Sequence, residues 1–158
     1  MKMKINYKTL AGAIAFPLAV GGLAALLTMS SMQKFAALNQ PPLSPPGWLF
    51  PVVWSLLYIL MGIASYLVIR SDVSMDEKSN GLKLYVAQLG VNFLWSILFF
   101  CFGLYSFSFV WLLLLLALVV FTAYSFFKID RRAAYLLLPY IAWILFAGYL
   151  NLGIAILN

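Results

Sequence analysis

Residues 84–127 read LYVAQLGVNFLWSILFFCFGLYSFSFVWLLLLLALVVFTAYSFF, without a single charged side chain. As one straight helix, this segment would be roughly 66 Å long at 1.5 Å per residue. That is about twice the roughly 30 Å hydrocarbon core of a bilayer, so the segment must fold back on itself. The Gly- and Ser-containing stretch 103–108 offers the turn. The segment therefore predicts two consecutive membrane-spanning helices.

The charged residues of the whole chain lie outside long apolar spans of this kind. A charge at mid-bilayer costs about 2.5–3.5 kcal/mol on insertion scales, so long charge-free runs indicate membrane spans. The chain is 65% hydrophobic, whereas soluble domains are about 45–50% apolar. We therefore predict an all-α fold, an integral membrane bundle of five transmembrane helices forming a single membrane domain over residues 1–158. The predicted helices are 10–29, 48–69, 84–102, 109–127 and 133–157, with a proline-rich loop at 30–47.

Lysine and arginine residues are distributed unequally between the two ends of these helices. The N-terminal segment, the gap between the second and third helices, and the gap between the fourth and fifth carry three cations each, whereas Lys34 is alone on the opposite side. The positive-inside rule then predicts a cytoplasmic N-terminus and an external C-terminus. Residues 10–29 are longer than the h-region of a signal peptide, so we interpret them as a retained helix. A bacterial plasma membrane is the expected location.

Composition also limits the chemistry that the chain can perform. It contains no histidine and one cysteine, Cys101, so we expect no metal site and no disulfide within the chain. The apolar spans contain no Asp, Glu, Lys or Arg, which argues against a catalytic triad or an acid–base relay inside the membrane. The net charge of +6 is scattered over short loops, so we expect no nucleic-acid partner. Small residues of the first helix, such as Ala15, Ala19 and Gly21, indicate ordinary helix packing.

Three of the predicted helices place aromatic or amide side chains on one face. These faces carry Trp54 and Tyr58 in the second helix, Gln88, Asn92, Trp95 and Phe99 in the third, and Trp143, Ala147, Leu150 and Asn151 in the fifth. Amide groups are costly in lipid, so the faces should point into the bundle. Each amide taken singly is equally well explained by a hydrogen bond between helices. For the aromatic faces together we favour a ligand pocket, because such pockets are apolar, aromatic-lined and carry few polar groups.

These faces belong to three sequence blocks that resemble a known family. The blocks are Trp48–Tyr58, which follows the proline-rich loop, Gly81–Trp95 and Pro139–Asn151. In their order and spacing they resemble the translocator protein/tryptophan-rich sensory protein family (TspO/MBR) over nearly the whole chain. The resemblance implies a five-helix bundle, often dimeric. It also implies binding of porphyrins and other tetrapyrroles, sterols or synthetic ligands in a pocket below the first loop.

The resemblance assigns roles to individual residues. It implies that Trp54, Asn92, Trp95, Trp143 and Ala147 line the pocket and that the loop around Pro45 is its lid. Together with the helix faces, it gives a candidate ligand-binding set of Pro45, Trp54, Tyr58, Gln88, Asn92, Trp95, Trp143, Ala147, Leu150 and Asn151. Two departures from the family pattern stand out. Leu43 occupies a position where many members have tryptophan, and Leu152 and Ile156 replace the tyrosine and the basic residue of the animal sterol-recognition pattern.

Three functions fit these residues. The first is a membrane sensor or translocator that binds porphyrins or similar hydrophobic molecules as ligands, without any cofactor. The second is enzymatic: some relatives are credited with light- and oxygen-dependent porphyrin breakdown, and the resemblance then implies Trp54 and Trp143 as the reactive residues. The third is a ligand-free structural scaffold, which requires solid packing between the second, third and fifth helices. The expected partners are the lipid bilayer, a hydrophobic small molecule and, in a homodimer, a second copy.

Overall fold

The computed structural model describes residues 4–158, so Lys2, counted above among the N-terminal cations, lies outside the described residues. Within this range the chain consists of helices and short connections, and contains no strand. The helices long and apolar enough to cross a membrane are α1 (Tyr7–Ala36), α2 (Leu49–Ile69), α3 (Met75–Cys101), α4 (Tyr105–Ile129) and α5 (Arg131–Leu157). The prediction of an all-α membrane bundle with five transmembrane helices is confirmed.

Polar caps and one glycine define several helix ends. The side chain of Asn6 caps α1 by accepting a hydrogen bond from the backbone N–H of Thr9 at 3.2 Å. A capping box starts α3: Ser74 Oγ accepts from the Glu77 N–H at 3.3 Å, and the Glu77 carboxylate accepts from the Ser74 N–H at 3.3 Å. Gly103, with φ of +62°, makes the turn between α3 and α4 in a conformation that glycine adopts readily.

The predicted start of the third helix was wrong. The helix begins at Met75 rather than at Leu84, because the capping box allows it to start in the polar interfacial layer. The apolar pattern marks the hydrocarbon core, and a helix continues beyond that core wherever its ends are capped. α5 likewise begins at Arg131, before the predicted residue 133, and is capped by Asp130. α4 begins at Tyr105, before the predicted residue 109, without a side-chain cap.

The predicted loop 30–47 was also too long. The first helix passes through a 3₁₀ turn at Met29–Ser31 and continues to Ala36, which leaves residues 37–48 as the loop. Lys34 therefore lies in the last helical turn, where a cation is favoured by the helix dipole. The extension places the end of α1 beside the loop, where its side chains line the cavity described below.

Glycines allow neighbouring helices to approach closely. A Cβ atom built on Gly62 of α2 would lie 2.5 Å from the Cα of Ile14 in α1, so the two helices pack backbone against backbone. A Cβ atom on Gly81 of α3 would lie 3.0 Å from Ser125 Oγ in α4. Around these contacts the fully buried core contains Met61, Leu89, Leu115, Val119, Tyr140 and Ile144.

Most cations of the described residues lie at one end of the bundle. The guanidinium of Arg70, at the end of α2, donates to the backbone carbonyl of Lys4 at 3.4 Å. Asp130 caps α5 by accepting from the Arg132 N–H at 2.9 Å. The Arg132 guanidinium also donates to that carboxylate and holds the pKa of Asp130 below its ordinary value. Which compartment this end faces stays a prediction from the charge asymmetry.

Candidate functional site

A cavity of about 540 Å³ lies between α1, α2, α3 and α5 and reaches the loop of residues 37–48. Seven members of the predicted ligand-binding set line it: Trp54, Tyr58, Trp95, Trp143, Ala147, Leu150 and Asn151. Their side chains come from three helices that are distant in sequence, so the predicted inward faces do meet. The cavity volume falls within the range of about 300–1,000 Å³ that is typical of small-molecule sites.

Three tryptophan rings lie on the cavity wall. Trp54 stacks on Tyr58 with ring centroids 5.6 Å apart, and Trp95 stacks on Phe99 at 5.4 Å. Trp143 meets Phe50 edge-on at 6.0 Å. Because each indole is supported by a second aromatic ring, the wall offers flat apolar surfaces whose orientation is fixed by packing.

Hydrogen bonds fix the tryptophan of α3 further. Trp95 Nε1 donates to Asn151 Oδ1 at 3.0 Å, and Asn151 Nδ2 donates to the Tyr105 carbonyl at 2.8 Å. Asn151 thus links α3 and α5 and reaches the start of α4. By contrast, the buried Nε1 of Trp143 has no hydrogen-bond partner among the described residues. This N–H group is enclosed by protein atoms, so it is an unpaired buried donor and is not exposed to the cavity.

Gln88 and Asn92 belong to the predicted site but do not line the cavity. Both are buried in a hydrogen-bonded layer with Tyr140. Asn92 Nδ2 donates to the Tyr140 hydroxyl at 2.9 Å, and that hydroxyl donates to Gln88 Oε1 at 2.8 Å. Here the interhelical hydrogen-bond interpretation describes the amides better than direct lining of a pocket. Asn92 Oδ1 has no partner among the described residues.

The loop of residues 37–48 is attached to α5. Asn39 exchanges two hydrogen bonds of 3.0 Å with the side chain of Asn158, and Tyr149 donates to the Pro42 carbonyl at 2.6 Å. A Cβ atom on Gly153 would lie 2.6 Å from Pro41, so the loop rests directly on this helix. Within the loop, Gln40 and Gly47 line the cavity. Pro45, the predicted lid residue, lies outside the lining.

The chain is similar to known proteins over nearly its whole length. The model of the TspO/MBR family matches residues 13–157. The chain belongs to the TspO/MBR family. It is 37% identical over 155 residues to Tryptophan-rich protein TspO of Archaeoglobus fulgidus, covering 98% of this chain and 99% of that one. It is 36% identical over 151 residues to Tryptophan-rich protein TspO of Chlorobaculum tepidum, covering 95% and 96% of the two chains. With the human Translocator protein it shares 36% identity over 121 residues, which cover 76% of this chain and 72% of that one.

Membership of the TspO/MBR family supports a role as a membrane sensor or translocator. The five apolar helices and this membership also establish the chain as an integral membrane protein. The resemblance stated from the three sequence blocks is therefore confirmed. The three blocks belong to α2, α3 and α5, and the match to the family extends from α1 to α5.

One wall of the cavity in this TspO/MBR member was not predicted. The first helix contributes the small residues Gly21, Ala24, Ala25 and Thr28, and its extension contributes Met29, Met32 and Phe35. A Cβ atom on Gly21 would lie 2.2 Å from Cε2 of Tyr58, so the glycine makes room for that ring. The available signal was the run of small residues, which we interpreted only as helix packing.

The lining determines what this site can do chemically. Within the described residues, no Asp, Glu, Lys or Arg side chain lines the cavity. Polar side chains among the lining residues are few, and include Thr28, Gln40 and Tyr58. Such a site can bury a flat apolar molecule by stacking and can offer it a small number of hydrogen bonds.

Proposed function

We propose that the chain is a membrane sensor or translocator that binds porphyrins or similarly flat hydrophobic molecules in this cavity. The observation that supports the proposal is the convergence of Trp54, Trp95 and Trp143 around one space of about 540 Å³. A ligand-free scaffold would instead need solid packing between α2, α3 and α5, where the cavity lies. The relatives named TspO and Translocator protein agree with the sensor or translocator part of the proposal.

The expected interaction free energies are compatible with a micromolar dissociation constant. Burial of apolar surface contributes about 25 cal/mol per Å², and each aromatic pair adds about 0.5–1.5 kcal/mol. Association and the loss of ligand freedom offset part of this gain. A net binding free energy near −8 kcal/mol corresponds to a micromolar dissociation constant. We expect a metal-free porphyrin to bind in this range, with its rings against the indoles.

Simultaneous replacement of Trp54 and Trp143 by alanine is expected to weaken porphyrin binding by about 10–100-fold. The variant loses two stacking surfaces and leaves the third indole and its hydrogen bond to Asn151 in place. The measurement is a titration of the full chain in lipid nanodiscs, followed by the absorbance of the porphyrin. Trp48→Ala is the control, because Trp48 is 67% exposed and does not line the cavity. Equal affinity of the double variant and the wild type would reject this site.

A second candidate function is the light- and oxygen-dependent breakdown of the bound porphyrin. It is favoured by the position of Trp54 and Trp143 on the same cavity, where an excited ligand would contact both indoles. Under illumination in air, the wild type is then expected to bleach bound porphyrin faster than the Trp54→Phe, Trp143→Phe variant does at equal occupancy. Free tryptophan at the same concentration is the control. Equal bleaching rates in all three samples would reject the breakdown activity and leave only the binding function.

A further inference from the structure

A second concave surface lies at the cation-rich end of the bundle, on the outside of the helices. This groove of about 690 Å³ runs between the end of α2 and the first three turns of α3. It is lined by Ile69, Met75, Leu82 and Val86 and by the two lysines Lys78 and Lys83, with Ser79 and Ala87 between them. The groove shares no residue with the aromatic cavity described above.

The apolar part of the groove runs along the axis of α3, a helix long and apolar enough to cross a membrane. Met75, Ser79, Leu82 and Val86 are spaced along one line of α3, which extends for roughly 16 Å. The polar layer of one leaflet is only about 5–8 Å thick, so this line reaches from the polar layer into the hydrocarbon. Met75 and Val86 are both exposed. The surface therefore suits a molecule with one polar end and one extended apolar chain.

The charges of the groove are not matched by the protein itself. Lys78 Nζ donates to the Ile69 carbonyl at 3.2 Å, which places the ammonium at the head of the groove. Lys83 also lines the groove and is exposed, roughly 7.5 Å further along the helix axis. Asp72 and Asp76 are near in sequence, yet the only ion pair within residues 4–158 joins Arg132 to Asp130. The two lysines thus lack a carboxylate partner and lie where an anionic headgroup would neutralise them.

The N-terminus of α3 does not compete for that anion. In the capping box the Ser74 N–H donates to the Glu77 carboxylate and the Glu77 N–H donates to the Ser74 hydroxyl, so both groups are already paired. An added anion would be repelled by Glu77 there, and would be attracted to the lysines about one turn and two turns further along. The favourable position for a phosphate is therefore the head of the groove.

We propose that this groove binds one anionic glycerophospholipid, with its phosphate between Lys78 and Lys83 and one acyl chain along Leu82 and Val86. Basic pockets between transmembrane helices commonly recognise acidic lipid headgroups, because the lysines gain a counter-charge that zwitterionic lipids do not supply. The apolar floor makes the occupant a lipid rather than a soluble phosphate, since only an acyl chain would cover it. The inference is independent of the function of the aromatic cavity.

The test is native mass spectrometry of the full chain in detergent, with phosphatidylglycerol and phosphatidylcholine of the same acyl chains added in turn. The wild type is expected to retain one phosphatidylglycerol in preference to phosphatidylcholine. The Lys78→Gln, Lys83→Gln variant is expected to lose that preference by about tenfold. Ala87→Phe, which fills the groove without changing charge, is expected to lose the bound lipid as well.

The control is Lys8→Gln, Lys128→Gln, which removes the same charge at the same end of the bundle but outside the groove. Equal loss in this control would overturn the proposal in favour of a diffuse charge effect. Displacement of the lipid by inorganic phosphate would show that the headgroup chemistry alone is recognised and would overturn it too. A change from dimer to monomer in Ala87→Phe, without any lipid loss, would assign the groove to a second copy of the chain.

Discussion

Gly21→Leu is expected to reduce porphyrin binding by about a hundredfold and to lower the stability of the bundle. A Cβ atom at this position would lie 2.2 Å from the ring of Tyr58, so the ring and the new side chain cannot both keep their places. Tyr58 must move towards the cavity or α1 must move away from α2, and either movement changes the wall on which Trp54 stacks. Overpacking of this kind lowers the free energy of unfolding by about 1–3 kcal/mol. The affinity falls separately, because a displaced ring changes the cavity wall, and a hundredfold loss corresponds to about 2.8 kcal/mol of binding free energy.

Gly22→Leu provides a matched control for this prediction. A Cβ atom on Gly22 would meet nothing within 4 Å, and the residue is exposed. The same substitution one position further along should therefore leave both affinity and stability close to the wild type. Gly21→Ala adds a smaller group and provides a second test if Gly21→Leu fails to fold. Unchanged porphyrin affinity in both Gly21 variants would contradict the placement of the ligand in this cavity.

Tyr140→Phe is expected to lower the free energy of unfolding by about 1–3 kcal/mol. The hydroxyl accepts from Asn92 and donates to Gln88, and all three side chains are about 1% exposed. Hydrogen bonds between membrane helices average about 0.6 kcal/mol, so the loss of two bonds alone would cost about 1 kcal/mol. The upper part of the range reflects two buried polar atoms, Asn92 Nδ2 and Gln88 Oε1, that lose their partner.

The measurement is unfolding in sodium dodecyl sulfate, followed by far-ultraviolet circular dichroism in mixed micelles. Tyr135→Phe serves as the control, because Tyr135 is 56% exposed, its ring contacts Phe127, and its hydroxyl makes no hydrogen bond within the described residues. If both variants unfold at the same detergent fraction as the wild type, the layer of Gln88, Asn92 and Tyr140 contributes nothing measurable to stability. Porphyrin affinity should change little in Tyr140→Phe if the ligand lies above this layer.

The membrane spans could be predicted because charge in lipid is costly, whereas the exact helix ends could not. Ser74 and Glu77 form a capping box that extends α3 well beyond its apolar run. The sequence contains both residues, but the hydropathy pattern gives no weight to a cap outside the hydrocarbon. The extension of α1 to Ala36 was missed for a related reason, since Lys34 was interpreted as the mark of a loop.

For the site, helical spacing predicts the direction of a side chain but not its depth. Gln88, Asn92 and Trp95 follow one inward face of α3, yet only Trp95 reaches the cavity, while the two amides are hydrogen-bonded to Tyr140 beneath it. The wall from α1 was missed because Gly21 and Ala24 carry no aromatic or polar signal. Their contribution is the space that they leave free, and that space depends on which ring lies opposite.

The contacts that hold the indole rings in place affect how fast a guest molecule associates and dissociates. Trp95 is fastened by Asn151, and Trp54 rests on Tyr58, so these surfaces are already in their final positions before anything arrives. Little additional ordering entropy is then lost on association. Differences in affinity among related guest molecules should consequently come from their dissociation rates rather than from their association rates.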